Sequence, residues 1–276
     1  MTKKILPLLL LLLLLAACGG NKKGDKRIIT VTIEPLKYFT EQITGKRFEV
    51  RTMVPRGSNP ETYEPTPQQM IALSHSDLYI KVGNIGFERT WMKRLESNAP
   101  HTIVIDSSDG IIPVRTCDGI PDPHVWMSTV NAAIIARNIY KAVVDIDARD
   151  SLFYKANLET FLARIAATDT RVREMLTKDK STVFMIYHPA LTYFARDYSL
   201  TQLPIEEEGR EPSAAQLRAL IAEARLKRVK TIFVQKQFSN RNTAVIAQST
   251  GAEQQEIDVL NYNWEQEMTT IAKKLK

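Results

Sequence analysis

Two histidines and two acids in this chain stand where α/β proteins usually do their chemistry. Glu61 follows a strand predicted over 48–54, at the end of the turn-rich run Pro55-Arg56-Gly57-Ser58-Asn59-Pro60. His124 comes after a long loop beyond a strand predicted over 102–105. His188 ends a strand predicted over 182–187, and Asp258 sits on a short strand predicted over 256–259. In parallel sheets, ligands gather outside the carboxyl ends of the strands. All four side chains occupy such ends. Two imidazoles and two carboxylates form a complete donor set for a first-row divalent metal. Each residue also has a plainer role open to it. His188, before Pro189, suits a core histidine bonded to backbone; His124, between Pro123 and Trp126, suits a turn. Glu61 suits a loop carboxylate and Asp258 a turn residue. Glu64 competes with Glu61, because an acid just ahead of a helix favours its N-terminus. His75 and His101 read as surface residues.

The elements that must position these side chains alternate between strand and helix. Strands are predicted over 28–33, 48–54, 77–82 and 102–105, with helices after Pro35, after Pro67 and from Phe87 to Leu95. Thr66-Pro67 reads as a cap followed by a first helical position. Such alternation predicts a parallel sheet covered by helices on both faces. From Pro123 to Pro189 the chain then contains no Gly and no Pro between those two prolines. The absence of breakers argues for long helices. One is predicted over 131–144, then a polar break Asp147-Ala148-Arg149-Asp150, then a second helix from Ser151 to about Lys178. Its apolar stripe is Leu158, Leu162, Ile165, Val172 and Leu176, interrupted by Asp169. At 1.5 Å per residue it spans roughly 40 Å, enough to cross a small domain. A second alternating unit follows, with strands over 182–187, 200–205, 229–235 and 256–259, a helix started by Pro189 and running through Phe194, a helix capped by Ser213 and a closing helix from Trp264. The expected architecture is α/β: an N-terminal lobe over 28–150, a linking helix over 151–178 and a C-terminal lobe over 179–276. Interdomain clefts are where ligands bind.

The first residues belong to no lobe. Lys3 and Lys4 precede an apolar run from Ile5 to Ala17, and Cys18-Gly19-Gly20 follows. This pattern describes a signal peptide over 1–17. Leu15-Ala16-Ala17-Cys18 matches the bacterial lipobox, in which the cysteine is acylated and anchors a soluble body to a membrane. Residues 18–27 then form a lipidated tether. Lys3 and Lys4 leave with the leader, and Lys22, Lys23, Lys26 and Arg27 outweigh Asp25 in the tether. The net charge of +6 therefore falls to +1 over the folded body. No basic face for nucleic acid is implied. With Cys18 lipidated, Cys117 has no partner in the chain and reads as a free loop thiol, or less readily as a soft metal ligand.

Four motifs carry a resemblance. They are Pro60-x-Thr62-Tyr63-Glu64-Pro65-Thr66-Pro67, Asp122-Pro123-His124-Val125-Trp126, Tyr187-His188-Pro189-Ala190-Leu191-Thr192-Tyr193-Phe194, and Glu211-Pro212-Ser213. In order and spacing they resemble the zinc/manganese solute-binding lipoproteins of metal ABC transporters, the TroA-like and ZnuA-type periplasmic metal-binding proteins. The resemblance covers essentially the whole mature chain. It implies two parallel-sheet α/β lobes joined by one long rigid helix, and a zinc or manganese ion held in the cleft for delivery to a membrane permease. It further implies a monomeric, membrane-anchored lipoprotein of the cell envelope, on its periplasmic or extracellular face. The family usually has histidine where Glu61 stands; its other ligand positions map to His124, His188 and Asp258. A His-rich loop, which many zinc members carry, is absent.

Replacing an imidazole by a carboxylate hardens the site and moves preference toward Mn²⁺ or Fe²⁺, whereas Zn²⁺ outcompetes Mn²⁺ at most sites. Zinc and manganese both stay open on sequence. Two other functions compete with capture and delivery. A metal-dependent hydrolase would use the same ligands but needs an open coordination position and a general base. A receptor for a siderophore or corrinoid would keep the fold and favour aromatic or basic cleft residues instead.

Overall fold

The β-branched run Ile28-Ile29-Thr30-Val31 opens the first of two parallel sheets in the computed structural model, which describes residues 27–115, 119–176, 182–206, 209–238 and 241–275. The first lobe runs β1 (Ile28–Val31), α1 (Glu34–Thr44), β2 (Glu49–Thr52), α2 (Pro67–Leu73), β3 (Leu78–Lys81), α3 (Gly86–Asn98) and β4 (Ile103–Asp106). Its strand order is β2-β1-β3-β4, and Ile29 pairs with Val50 on one side and Leu78 on the other. Turn chemistry sets the boundaries. Thr66 accepts from the Gln69 amide while the Gln69 side chain returns to the Thr66 amide, a reciprocal cap that starts α2 with Pro67 in its first turn. The leader, Cys18, the tether through residue 26, Cys117 and Lys178 lie outside the described residues.

Two helices carry the chain across. They are α4 (Thr129–Ile146), capped by the Ser128 hydroxyl, and α5 (Ser151–Leu176), separated by a 3-10 turn at Ala148–Asp150. The 26 residues of α5 extend about 39 Å. The second lobe runs β5 (Val183–Ile186), α6 (Thr192–Asp197), β6 (Thr201–Pro204), α7 (Ala214–Leu226), β7 (Thr231–Gln235), α8 (Arg241–Thr250), β8 (Glu253–Ile257) and α9 (Trp264–Lys274). Its order, β6-β5-β7-β8, repeats that of the first sheet. The chain reverses direction across each sheet between its first and third strands, and crevices form at the carboxyl ends of such switch points.

Two elements differ from the sequence expectation. The last strand begins at Glu253, three residues earlier than predicted, so Asp258 falls just beyond its end. Its sequence Glu-Gln-Gln-Glu-Ile is polar because it is an edge strand, and apolar runs do not mark edges. Pro189 does not start a helix. The Ala190 amide bonds back to the His188 carbonyl at 2.7 Å, and α6 begins three residues past the proline, at Thr192. That tight turn holds His188 at the mouth of its sheet.

The lobes share one core. A continuous cluster of buried apolar side chains runs from Ile29 and Phe39 through Trp126, Ile139 and Phe161 to Trp264 and Leu275. A second cluster, including Met185, Leu203, Ile232 and Ile246, fills the far side of the second sheet. Helix α5 packs on α1, α4 and α9. Its buried stripe is Tyr154, Leu158, Phe161, Ile165, Thr168 and Val172, alternate steps of four and three that keep one face inward. The aliphatic stripe expected from sequence overlaps it only at Leu158, Ile165 and Val172. Asp169 borders this stripe and is fully engaged: it accepts from Thr129 (2.8 Å), Tyr198 (2.9 Å) and Arg173 (2.8 Å). Burial pulls its carboxyl upward, and these donors outweigh that pull and hold it below the usual carboxylate range.

Further bonds cross between the lobes. Trp126 donates its indole N–H to the Val259 carbonyl (2.8 Å), and Trp264 donates to the Trp126 carbonyl (2.7 Å). Tyr38 and Arg164 both bond Glu265, each at 2.9 Å, and Tyr262 bonds Glu41. The long helix is therefore one of several connections, and the lobes are joined as a single body.

Candidate metal centre

Each of the three side chains that converge at the cleft is fixed by its own lobe. Glu61 sits in a turn closed by the Asn59 side chain, which accepts from the Glu61 amide at 2.9 Å. Its Oε2 receives the Gly86 amide at 3.0 Å, the first residue of α3, and lies 3.6 Å from Arg89. A helix N-terminus favours a carboxylate there. Gly86 allows the approach: a Cβ at that position would stand 2.4 Å from Glu61 Oε2 and 2.7 Å from the Glu61 carbonyl oxygen. The other carboxylate oxygen, Oε1, is buried and has no hydrogen-bond partner.

His124 is buried, and Asp122 holds it twice. One carboxylate oxygen, Oδ1, accepts from both the His124 amide and the ring Nδ1, each at 2.8 Å. His188 lies two residues past the end of β5, with its amide and carbonyl bonded to the Gln235 side chain at 3.1 and 2.7 Å. Its Nδ1 lies 2.5 Å from Glu206 Oε1, and Phe238 stacks on its ring at 4.6 Å. Glu206 is only 4% exposed. Burial alone would lower the His124 pKa; attraction to Asp122 and the hydrogen bond it provides reverse this and raise it.

The tautomers follow from the partners. A carboxylate only accepts, so both Nδ1 atoms carry a proton, and in the neutral rings that bind a metal both Nε2 atoms present lone pairs. Those Nε2 atoms face each other at 3.2 Å. Two bare lone pairs at that distance repel unless a proton or a metal cation joins them, and metal-binding rings offer them to the ion. Two bonds of ~2.0–2.1 Å to one tetrahedral ion would separate the nitrogens by about 3.3 Å. Glu61, His124 and His188 each offer a ligand atom within 4.8 Å of the others, the sole such group among the described residues. Around them the cavity is lined by Asn59, Trp126, Gln237, Phe238 and Leu260.

Asp258 lies outside this group. Its Oδ1 accepts from Gln237 Nε2 at 3.0 Å and from the Leu260 amide at 3.2 Å, and its own amide donates to Glu267 at 2.9 Å. Glu64 is exposed and does not join the three either, while His75 and His101 are exposed as expected. Three side chains at the site are not among the residues singled out from the sequence: Asp122 and Glu206, which bond the two imidazoles, and Gln237, which lines the cavity. Glu206 and Gln237 follow the carboxyl ends of β6 and β7, so the strand-end rule that selected the histidines covers them too.

Gly86→Ala is expected to push Glu61 out of place and weaken divalent-metal binding by roughly tenfold to a hundredfold, the usual cost of disturbing a ligand's support. Calorimetric titration of the variant, with the unfolding midpoint as a control for folding, checks this. Unchanged affinity would remove Glu61 from the site.

The high-affinity zinc uptake system protein ZnuA of Bacillus subtilis (strain 168) is 28% identical over 258 residues, covering 87% of this chain and 80% of that protein. The manganese ABC transporter substrate-binding lipoprotein PsaA of Streptococcus pneumoniae (strain R6) is 27% identical over 244 residues, covering 82% and 78%. Among solved structures, a zinc-bound 138-173 deletion mutant of ZnuA superimposes with a TM-score of 0.86 at 36% identity, covering 91% of this chain and 96% of that one. Residues 29–276 match the family model described as zinc-uptake complex component A, periplasmic, and the chain belongs to that family.

Proposed function

We propose that this protein is the extracytoplasmic solute-binding component of an ABC transporter. It captures a divalent transition metal, zinc or manganese, between its lobes and delivers it to a membrane permease. Glu61, His124 and His188 are the donors. The observation that carries this reading is the pair of Nε2 atoms facing each other at 3.2 Å, with the unpartnered Glu61 Oε1 in the same cluster. The two imidazoles come from opposite lobes, so the captured ion bridges them. Two imidazoles with one carboxylate favour zinc over manganese in affinity. Relatives named for zinc and for manganese support the metal class.

A hydrolase needs a base beside the ion. Here Asp122 and Glu206 are committed to the imidazoles, and Glu61 belongs to the donor group. An organic chelate has no place where the two rings approach so closely. In the same reading, Cys18 carries the lipid that tethers a monomeric body to the membrane at the cell envelope.

Titrating the metal-stripped protein with Zn²⁺ and Mn²⁺ by calorimetry tests the proposal. One ion per chain is expected for each metal, zinc tighter. No binding of either ion would refute it.

A further inference from the structure

Two buried side-chain atoms among the described residues lack a hydrogen-bond partner: Glu61 Oε1 and Gln237 Oε1. Both residues line the same cavity, with His124 and His188. A buried amide oxygen without a partner costs roughly 1–3 kcal/mol. Such an orphan at a cavity built of metal donors points to a ligand that is not a protein group.

The orientation of the Gln237 amide is settled by its neighbour. Asp258 Oδ1 lies 3.0 Å from the amide nitrogen. A carboxylate accepts and cannot donate, so the end of the amide facing Asp258 is its NH₂ group, and the carbonyl oxygen is the end left free. Asp258 is itself fixed, accepting from the Leu260 amide at 3.2 Å and donating its own amide to Glu267. Gln237 follows β7, the strand between those that lead to His188 and Asp258.

We propose that the Gln237 carbonyl oxygen, Oε1, is a fourth donor to the captured ion, and that Asp258 acts as the positioning residue that aims it. The inference rests on the capture reading above. It assigns the Asp258 carboxylate to the ligand's support. A neutral oxygen in place of a second carboxylate leaves the donor set with one negative charge, from Glu61. Such a set binds the ion less tenaciously than a two-acid site and suits a carrier that must release its cargo. Amide oxygens ligate first-row divalent ions less strongly than imidazoles, so Gln237 tunes affinity and geometry more than it creates the site.

The test uses the full chain, stripped of metal and titrated with Zn²⁺, and with Co²⁺ to follow its visible absorption. Gln237→Leu is expected to keep one ion per chain, to bind zinc about tenfold to a hundredfold more weakly, and to change the cobalt spectrum as an oxygen donor is lost. Asp258→Asn keeps an acceptor for the Gln237 amide and is expected to stay within a few-fold of the parent with the parent's spectrum. Asp258→Leu should reproduce the Gln237→Leu defect. If Gln237→Leu binds as tightly as the parent with an unchanged spectrum, the assignment is overturned while metal capture stands. A larger loss in Asp258→Asn than in Gln237→Leu makes Asp258 the donor and also overturns it. A parent that binds no metal ends both readings.

Discussion

His188→Ala is expected to lower zinc affinity by roughly two to three orders of magnitude. Structural zinc sites are worth about 10–16 kcal/mol in total, so one donor in a tetrahedral set accounts for roughly 2.5–4 kcal/mol. At 1.4 kcal/mol per tenfold, that is roughly sixtyfold to seven-hundredfold in the dissociation constant. The loss reaches beyond the ring. Glu206, 4% exposed, would lose the N–H it accepts and remain as a buried charge, which costs further stability. The face of Phe238 that stacks on the ring at 4.6 Å would also be uncovered. Metal should therefore raise the unfolding temperature of the parent, by mass action on the folded state, and raise that of the variant little at the same concentration. Calorimetry with thermal unfolding in the presence and absence of zinc reads both effects. A variant as tightly bound and as strongly stabilised as the parent would show that the ion does not bridge the lobes.

The largest stability effect is expected at Trp264. Its ring is 1% exposed and meets Phe39 of the first lobe edge-on at 5.1 Å. Its indole N–H bonds the Trp126 carbonyl at 2.7 Å, while Trp126 in turn bonds Val259. Truncation of a buried aromatic costs about 3–5 kcal/mol through lost transfer energy and the cavity left behind. Trp264→Ala would additionally orphan a buried carbonyl, at roughly 1–3 kcal/mol. Against a typical total of about 5–15 kcal/mol, that removes much of the stability. Trp264→Phe retains most of the bulk and should lose mainly the hydrogen bond. Because the two lobes share one core, the parent should unfold in urea as a single transition rather than lobe by lobe. Two separated transitions in the parent, or a Trp264→Ala midpoint equal to the parent's, would contradict a shared core.

These two residues mark what was and was not legible in the sequence. His124 and His188 stand out in the sequence by type and place: each is an imidazole beyond the carboxyl end of a predicted strand, His124 after a long loop. The reciprocal cap of Thr66 with Gln69 and the Ser213 cap were equally local, readable within four residues. Asp122 was visible as a neighbour of His124, but its grip on Nδ1 depends on the turn that the Asp-Pro-His segment adopts. Glu206 and Gln237 were passed over because an acid and an amide near strand ends are common, and only burial and partners distinguish them. The tryptophan clamp joins residues 133 and 138 positions apart, which no local periodicity encodes. The β8 boundary was misplaced because an edge strand need not be apolar. That Asp258 Oδ1 accepts from Gln237 and Leu260 is a fact of packing that residue type does not carry.

The central claim is that one divalent ion sits between the two Nε2 atoms, joining the lobes. Anomalous diffraction from a crystal of the zinc-loaded protein, collected on both sides of the zinc edge, tests it directly. The account predicts one strong peak per chain, ~2.0–2.1 Å from both His124 Nε2 and His188 Nε2, with a Glu61 oxygen also in contact. A peak bound by only one of the two histidines, or a zinc-loaded protein with no peak in the cleft, would contradict it.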